Sequence, residues 1–315
     1  MPHNWDRRTV LKAAAAALGS GLGAAAARAQ VVPWSGGMER PKLQAPANAA
    51  DCHHHIYDHR FPVAPTAVLR PPDALVPEYK LLQQRLGTAR NVVVQPSTYG
   101  IDNRCMLDAL AQFGPTARGV AVVNTGVTDA ELQKMHEQGV RGIRFNLVQA
   151  GATSLEMLEP LAGRVHDLGW HVQLHMLADQ IAGIEDLLHR VLAPIVFDHM
   201  ARIPGDAGVK HPAFRVVSGL IEDGRAWVKL SGAYMDSRVG PPSYADRGAI
   251  AKGFISVAAE RCLWGTDWPH PTEKVKPDDA HLLDLLADWA PEETIRDRIL
   301  VDNPALLYGF KASPT

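Results

Sequence analysis

Cysteine is scarce in this chain: three in 315 residues, at positions 52, 105 and 262. Thiols so far apart build no disulfide framework, and no CxxC pair offers a zinc or redox motif. An excess of one charge is also missing. The 32 Lys and Arg are balanced by 34 Asp and Glu, so a net charge of −2 gives no overall pull toward nucleic acid or an anionic membrane. No GxGxxG or GxxxxGK[S/T] follows any apolar run, which removes the common nucleotide-binding designs. The apolar stretch Ala13–Ala27 is too short and too rich in Ala and Gly for a good membrane span. What is present, 46% hydrophobic and 21% charged residues, suits a folded protein with a sizeable core rather than a disordered one.

The first residues read as an address. Arg7-Arg8 and Lys12 precede the apolar stretch, and Ala27-Arg28-Ala29 forms a small-x-small exit. A charged start, an apolar middle and small residues at the end describe a secretory signal peptide over residues 1–29. The Arg pair and the weakly hydrophobic middle resemble the twin-arginine type, so the expected destination is the periplasm, with no membrane insertion after cleavage. Residues 30–48, with Pro33, Gly36, Gly37, Pro41 and Pro46, read as an irregular lead-in.

From residue 49 to 312 apolar runs alternate with helical patterns. The runs are Ala49–Tyr57, Asn91–Gln95, Gly119–Asn124, Gly142–Leu147, His171–Met176, Ile195–His199, Ala226–Ser231 and Cys262–Asp267. Most are rich in Val, Ile or Leu, as buried parallel strands are. Thr128 to Glu131 forms a capping box. Ser154–Leu168, closed by Gly169, and Asp179–Leu192, Ala213–Glu222, Tyr244–Ala259 and Asp278–Trp289 complete most of the helices. Eight such units predict an α/β fold, a single (β/α)8 TIM barrel, with an open doubly wound sheet as the alternative.

In a barrel the chemistry sits where strands end. The first run ends in His53-His54-His55, and residues two apart on a strand face the same way. The fifth ends at His175, the sixth at Asp198-His199, and the eighth at Asp267, followed by His270. Neutral imidazoles and a carboxylate suit a first-row divalent metal. No cofactor is required, however: Asp267 is able to take a proton from water while histidines polarise a carbonyl. Arg144 and Asn146 share a face of the fourth run, and a guanidinium in a barrel mouth favours an anionic substrate. Blander roles compete, with Arg144 paired to Asp198 and Asp267 capping a turn. Gly232–Arg247, carrying Tyr234, Arg238 and Tyr244, has the length of a lid, and Tyr57 and Arg60 follow the first run. The remaining cysteines read as buried or helical residues without a catalytic role.

These residues together resemble the amidohydrolase superfamily, in its amidohydrolase-related (family 2) branch. The carriers are Asp51–His55, Arg141–Asn146, Trp170–His175, Val196–Met200, Val228–Tyr234, Leu263–His270 and Asp302–Phe310, and the likeness spans roughly residues 49–310. The narrower motifs RFN, FDHM, KLSGAY and WGTDWPHP point to the sugar-lactone and pyrone-lactone group. The resemblance implies hydrolysis or ring isomerisation of a carboxylate-bearing lactone, or another small acidic sugar substrate, in several members without metal. It implies Asp267 as general base, with His199 and Arg144 binding or polarising the lactone. Substrate contacts are expected from His53, His55, Tyr57, Asn146, His175, Tyr234, Arg238 and His270. Two departures stand out. Ala150 replaces a second arginine of the pyrone-dicarboxylate lactonases, which argues against a planar dicarboxylate, and His175 replaces their tyrosine, which leaves metal dependence open. The competing functions are a metal-dependent decarboxylase of the same superfamily, for which the resemblance implies one divalent metal, Zn or Mn, held by His53, His55, His175 and Asp267, and a non-catalytic exported sugar-acid binding protein. No oligomeric state is implied.

Overall fold

The computed structural model describes residues 31–148 and 151–311. The expected signal peptide and Ala150 lie outside them. Eight strands form: β1 Ala50–His54, β2 Arg90–Val94, β3 Ala117–Ala121, β4 Val140–Asn146, β5 His171–His175, β6 Ile195–Phe197, β7 Ala226–Leu230 and β8 Cys262–Trp264. Each falls in one of the eight expected runs or overlaps it. All neighbours pair in parallel and in chain order. The seam between β1 and the end of β8 is closed by backbone bonds from Asp267 N to His53 O (2.7 Å) and from His55 N to Trp268 O (2.8 Å). The fold is therefore a (β/α)8 barrel rather than an open sheet. Among the described residues no helix is long and apolar enough to cross a membrane.

Strand alternation divides the barrel interior by height. Cys52, Val92, Val94, Val120, Val196, Trp227 and Leu263 pack together with Tyr308 and Phe310. Arg90 and Arg118, from the starts of β2 and β3, bond the carbonyls of Lys311, Tyr308 and Gly309. The C-terminal segment thus stops the bottom of the barrel. Two residues further along the same faces, Val196 gives way to Asp198 and Trp227 to Lys229, so the upper interior is polar. A second, larger apolar layer lies between strands and helices.

The helices follow their local signals. The Thr128 hydroxyl accepts a bond from Glu131 N, and the Glu131 carboxylate accepts one from Thr128 N, opening helix Asp129–Glu137 as a capping box. One expectation is corrected: Asp179–Leu192 is not continuous. It forms Ala178–Ala182 and Glu185–Arg190, broken at Gly183-Ile184, where glycine weakens the helix and Ile184 leaves helical geometry. The lead-in is irregular as expected and is tied down by bonds from Arg85 to Glu39 O and from Trp268 to Pro33 O.

Candidate active site

Three strand ends bring four polar residues to one point. His53 and His55 come from β1, His199 follows β6, and Asp267 follows β8 in the left-handed backbone region that aspartate tolerates (φ 66°). The Nε2 atoms of His53, His55 and His199 lie 3.4, 3.4 and 3.8 Å from Asp267 Oδ1. The cleft above them is lined by Tyr57, Pro96, Arg144, Asn146, His175 and Met235, among others.

The outer nitrogens fix the rings. His55 Nδ1 donates to the Val94 carbonyl at 2.7 Å, because a carbonyl only accepts. His53 Nδ1 faces Asp198 Oδ1 at 3.2 Å, and His199 Nδ1 meets the Ser231 hydroxyl at 2.9 Å. Burial disfavours charge on every group here, with unequal results. His53 and His199 are pushed down to about 3 and are neutral at ordinary pH. Burial opposes charge on Asp267 too, but His199, His55 and His53 around it hold it well below the usual carboxylate range. Asp267 therefore carries the negative charge of the cluster.

His53 Nε2 is buried without a hydrogen-bond partner, 3.4 Å from Asp267 Oδ1. His53, His55 and Asp267 place one donor atom each within 4.8 Å of one another, and so do His53, Asp198 and His199. Neutral imidazoles with a carboxylate are the donor set that a first-row divalent ion takes, so the residues fit one. His175, the fourth expected ligand, stands outside both groups. Its Nε2 accepts from Arg202 at 3.0 Å and its Nδ1 faces Asn146 Oδ1 at 3.2 Å, so neither nitrogen is free.

Other expected residues divide in the same way. Arg144 is buried in the cleft wall and donates Nε to Asp198 at 3.1 Å, the blander pairing considered above. Among the described residues its terminal nitrogens have no hydrogen-bond partner and remain available to a ligand. Tyr234 does not line the cleft; its hydroxyl donates to Asp267 Oδ2 at 2.6 Å. His270 is fully buried behind it, with Nδ1 2.9 Å from the Tyr234 hydroxyl and Nε2 3.1 Å from both oxygens of Asp279. It backs Tyr234, and through it Asp267, and does not line the cleft. Arg238 is corrected as well: it is exposed, pairs with Asp206 at 3.7 Å, and is absent from the cleft lining.

Several participants escaped the sequence reading. Lys229 is fully buried, bonds Gln173 at 2.7 Å and lies 3.3 Å from His53 Nδ1. Burial lowers its ammonium to about 8 despite the attraction of Asp198. Burial would raise Asp198, but His53, Lys229 and Arg144 hold it well below its ordinary range. A lysine between Val228 and Leu230 was a visible signal, since an apolar strand rarely buries a charge without a partner. Asp279, Ser231 and Arg247 gave none.

The comparisons agree with this geometry. A family model described as amidohydrolase matches residues 50–310. A 2-pyrone-4,6-dicarboxylate hydrolase of Comamonas testosteroni is 38% identical over 87% of this chain and 94% of its own. A D-galactarolactone isomerase of Agrobacterium fabrum is 32% identical, over 87% and 94%. Among solved structures, an apo protein of Agrobacterium tumefaciens superposes with a TM-score of 0.80 at 32% identity, covering 90% of this chain and 99% of that one. Histidines and an aspartate at the ends of strands 1, 6 and 8 of a (β/α)8 barrel, with a family model matched over nearly all described residues, place this chain in the amidohydrolase family.

Proposed function

We propose that this protein is a lactone-processing enzyme that opens, or re-closes in another ring size, the ester bond of a lactone bearing an acidic group. The observation that carries the reading is the ionised Asp267 amid three buried imidazoles, with unpaired Arg144 nitrogens in the cleft wall. The two curated relatives named above, a lactone hydrolase and a lactone isomerase, support the same chemistry.

Arg144 binds the acidic group through its free nitrogens. Asp267 takes the proton of the attacking oxygen through Oδ1, since Oδ2 is committed to Tyr234. In this reading the Ser231 hydroxyl, 2.9 Å from His199 Nδ1, is the donor of that pair, so the ring keeps its proton on Nε2, facing the cleft. His199 then donates to the carbonyl oxygen as it becomes an oxyanion. The leaving oxygen recovers the proton from Asp267 and resets the base. Attack by water gives a hydrolase, and attack by a hydroxyl of the same substrate gives an isomerase. A divalent ion, if held by His53, His55 and Asp267, supplies Lewis-acid polarisation of the carbonyl. Tyr57, Pro96 and Met235 give the cleft apolar walls, which fit the ring of the lactone.

The test is proton NMR of residues 30–315 with a panel of acidic lactones, with and without a chelator. Open-chain acid identifies hydrolysis, and a new ring size without acid identifies isomerisation. Loss of the signal on chelation, together with bound metal in the parent protein, assigns a required ion to the histidine cluster. No change in any lactone would contradict the reading.

The sequence also carries the expectation of export. We propose a periplasmic enzyme delivered by the twin-arginine route, and the check is cell fractionation: Arg7→Lys/Arg8→Lys should keep the uncleaved chain in the cytoplasm.

A further inference from the structure

The turn after β6 holds an unusual stretch of backbone. His199, Met200, Ala201 and Arg202 have φ of 52, 54, 55 and 50°, four consecutive non-glycine residues in the left-handed region. Residues other than glycine enter that region one at a time, because Cβ crowds the next carbonyl. The ends of the turn are bonded from Ala201 N to Asp198 O at 2.9 Å and from Ile203 N to Met200 O at 3.2 Å. A strained segment persists only where its surroundings hold it.

Arg247 supplies that hold. It lies in the first turn of helix Ala245–Ala258 and is fully buried. Its Nη2 donates to the His199 carbonyl at 3.0 Å and its Nη1 donates to the Ile203 carbonyl, so one guanidinium grips both ends of the turn. Among the described residues it forms no ion pair, and its Nε has no partner. Burying a charge for two carbonyls is a poor route to stability. The turn it grips, in contrast, carries His199 and also Arg202, whose guanidinium bonds both oxygens of Asp236 and reaches His175.

We propose that Arg247 is a positioning residue for the reaction: it keeps the left-handed turn wound and so sets His199 against the lactone carbonyl. The role rests on the lactone chemistry proposed above, and Arg247 itself touches no substrate. Removing the grip lets the turn relax toward ordinary backbone, which swings the imidazole away while Arg144, on β4, stays in place. The loss should therefore fall on kcat and spare KM.

The experiment compares parent, Arg247→Met and Arg247→Met/Ala201→Gly. It uses kinetics on the lactone turned over and histidine ring signals in 15N NMR, with His199 assigned by its loss in His199→Gln. Arg247→Met should lower kcat on the order of 100-fold with KM within about twofold, and should shift the His199 signals. Glycine adopts the left-handed region freely, so Ala201→Gly in that background should recover about tenfold or more and return the His199 signals toward the parent. Unchanged kcat in Arg247→Met, a double variant no better than the single one, or unmoved His199 signals would each overturn the proposal. If Arg247→Met does not fold, Arg247→Lys replaces it, and a lysine variant equal to the parent in kcat and His199 signals would equally overturn it. If the parent turns over no lactone, the functional reading fails by itself, and the His199 signals still decide whether Arg247 holds the turn.

Discussion

One oxygen of Asp267 is committed before any substrate arrives. Oδ2 accepts the 2.6 Å bond from Tyr234, which is backed by His270 and Asp279, while Oδ1 faces the imidazoles. Removing the phenol hydroxyl frees the carboxylate to rotate, so Tyr234→Phe should lower kcat by roughly tenfold while leaving KM close to the parent value. An unchanged kcat would show that the base is aimed by something else. If Ser231 donates to His199 Nδ1 as proposed, Ser231→Ala should likewise cost about tenfold in kcat, since the ring would then present a lone pair to the oxyanion in a share of molecules. Arg144 calls for a gentler change, because deleting its charge would leave Asp198 buried with one partner fewer. Arg144→Lys keeps the charge and loses the fork; the expected result is a KM raised about tenfold or more, measured on the same lactone.

At the scale of elements, the seam between β1 and β8 places three of the four residues of the cluster. A Cβ on Gly265 would lie 2.8 Å from both the backbone N and the Cβ of His53. Gly265→Ala must therefore push the strands apart just where His53 and Asp267 meet. It should lower stability by about 1–3 kcal/mol and reduce activity with it, read by thermal unfolding and kinetics. Loss of neither would mean the seam tolerates a shift that the geometry forbids. The strands were legible in the sequence because most are short Val-, Ile- or Leu-rich runs, and their ends put His53, His55, Arg144 and Asp267 in the mouth. Connections after strands obey no such period. That is why Tyr234 and His270 were read as substrate contacts although they stack behind Asp267, and why Arg238 was placed in a cleft that it does not line. His175 was read as a ligand because its strand position is right; only the structure shows Arg202, from a left-handed turn, reaching its Nε2. Backbone of that kind leaves no sequence signal when alanine and methionine occupy it.

The whole molecule has an interior divided between an apolar floor and a charged, hydrogen-bonded upper half, and its stability should follow pH accordingly. His53, His54, His171 and His199 are pushed down to about 3 by burial, and His175 well below its ordinary value. Their unfolded forms take a proton near about 6.5. Between those values the unfolded chain binds more protons, so stability rises with pH and is lost as pH falls below about 6.5. Asp51 acts in the opposite sense: burial raises it to about 6, against the pull of its bonds to Thr266, His53 and Tyr79. One carboxyl against five imidazoles leaves the net sign unchanged. Tm should fall by upwards of about 5 °C from about pH 7 to about pH 5, and a flat or rising Tm would contradict the buried neutral histidines. The same neutral rings around an ionised carboxylate are what the proposed chemistry needs, so fold and function share one electrostatic arrangement. The most direct measurement is proton NMR of acidic lactones with the parent enzyme and with Asp267→Asn side by side. The parent should convert a lactone that the variant still binds, seen as line broadening, and leaves unconverted. Turnover by both proteins would contradict Asp267 as the base, and turnover by neither would contradict lactone chemistry itself.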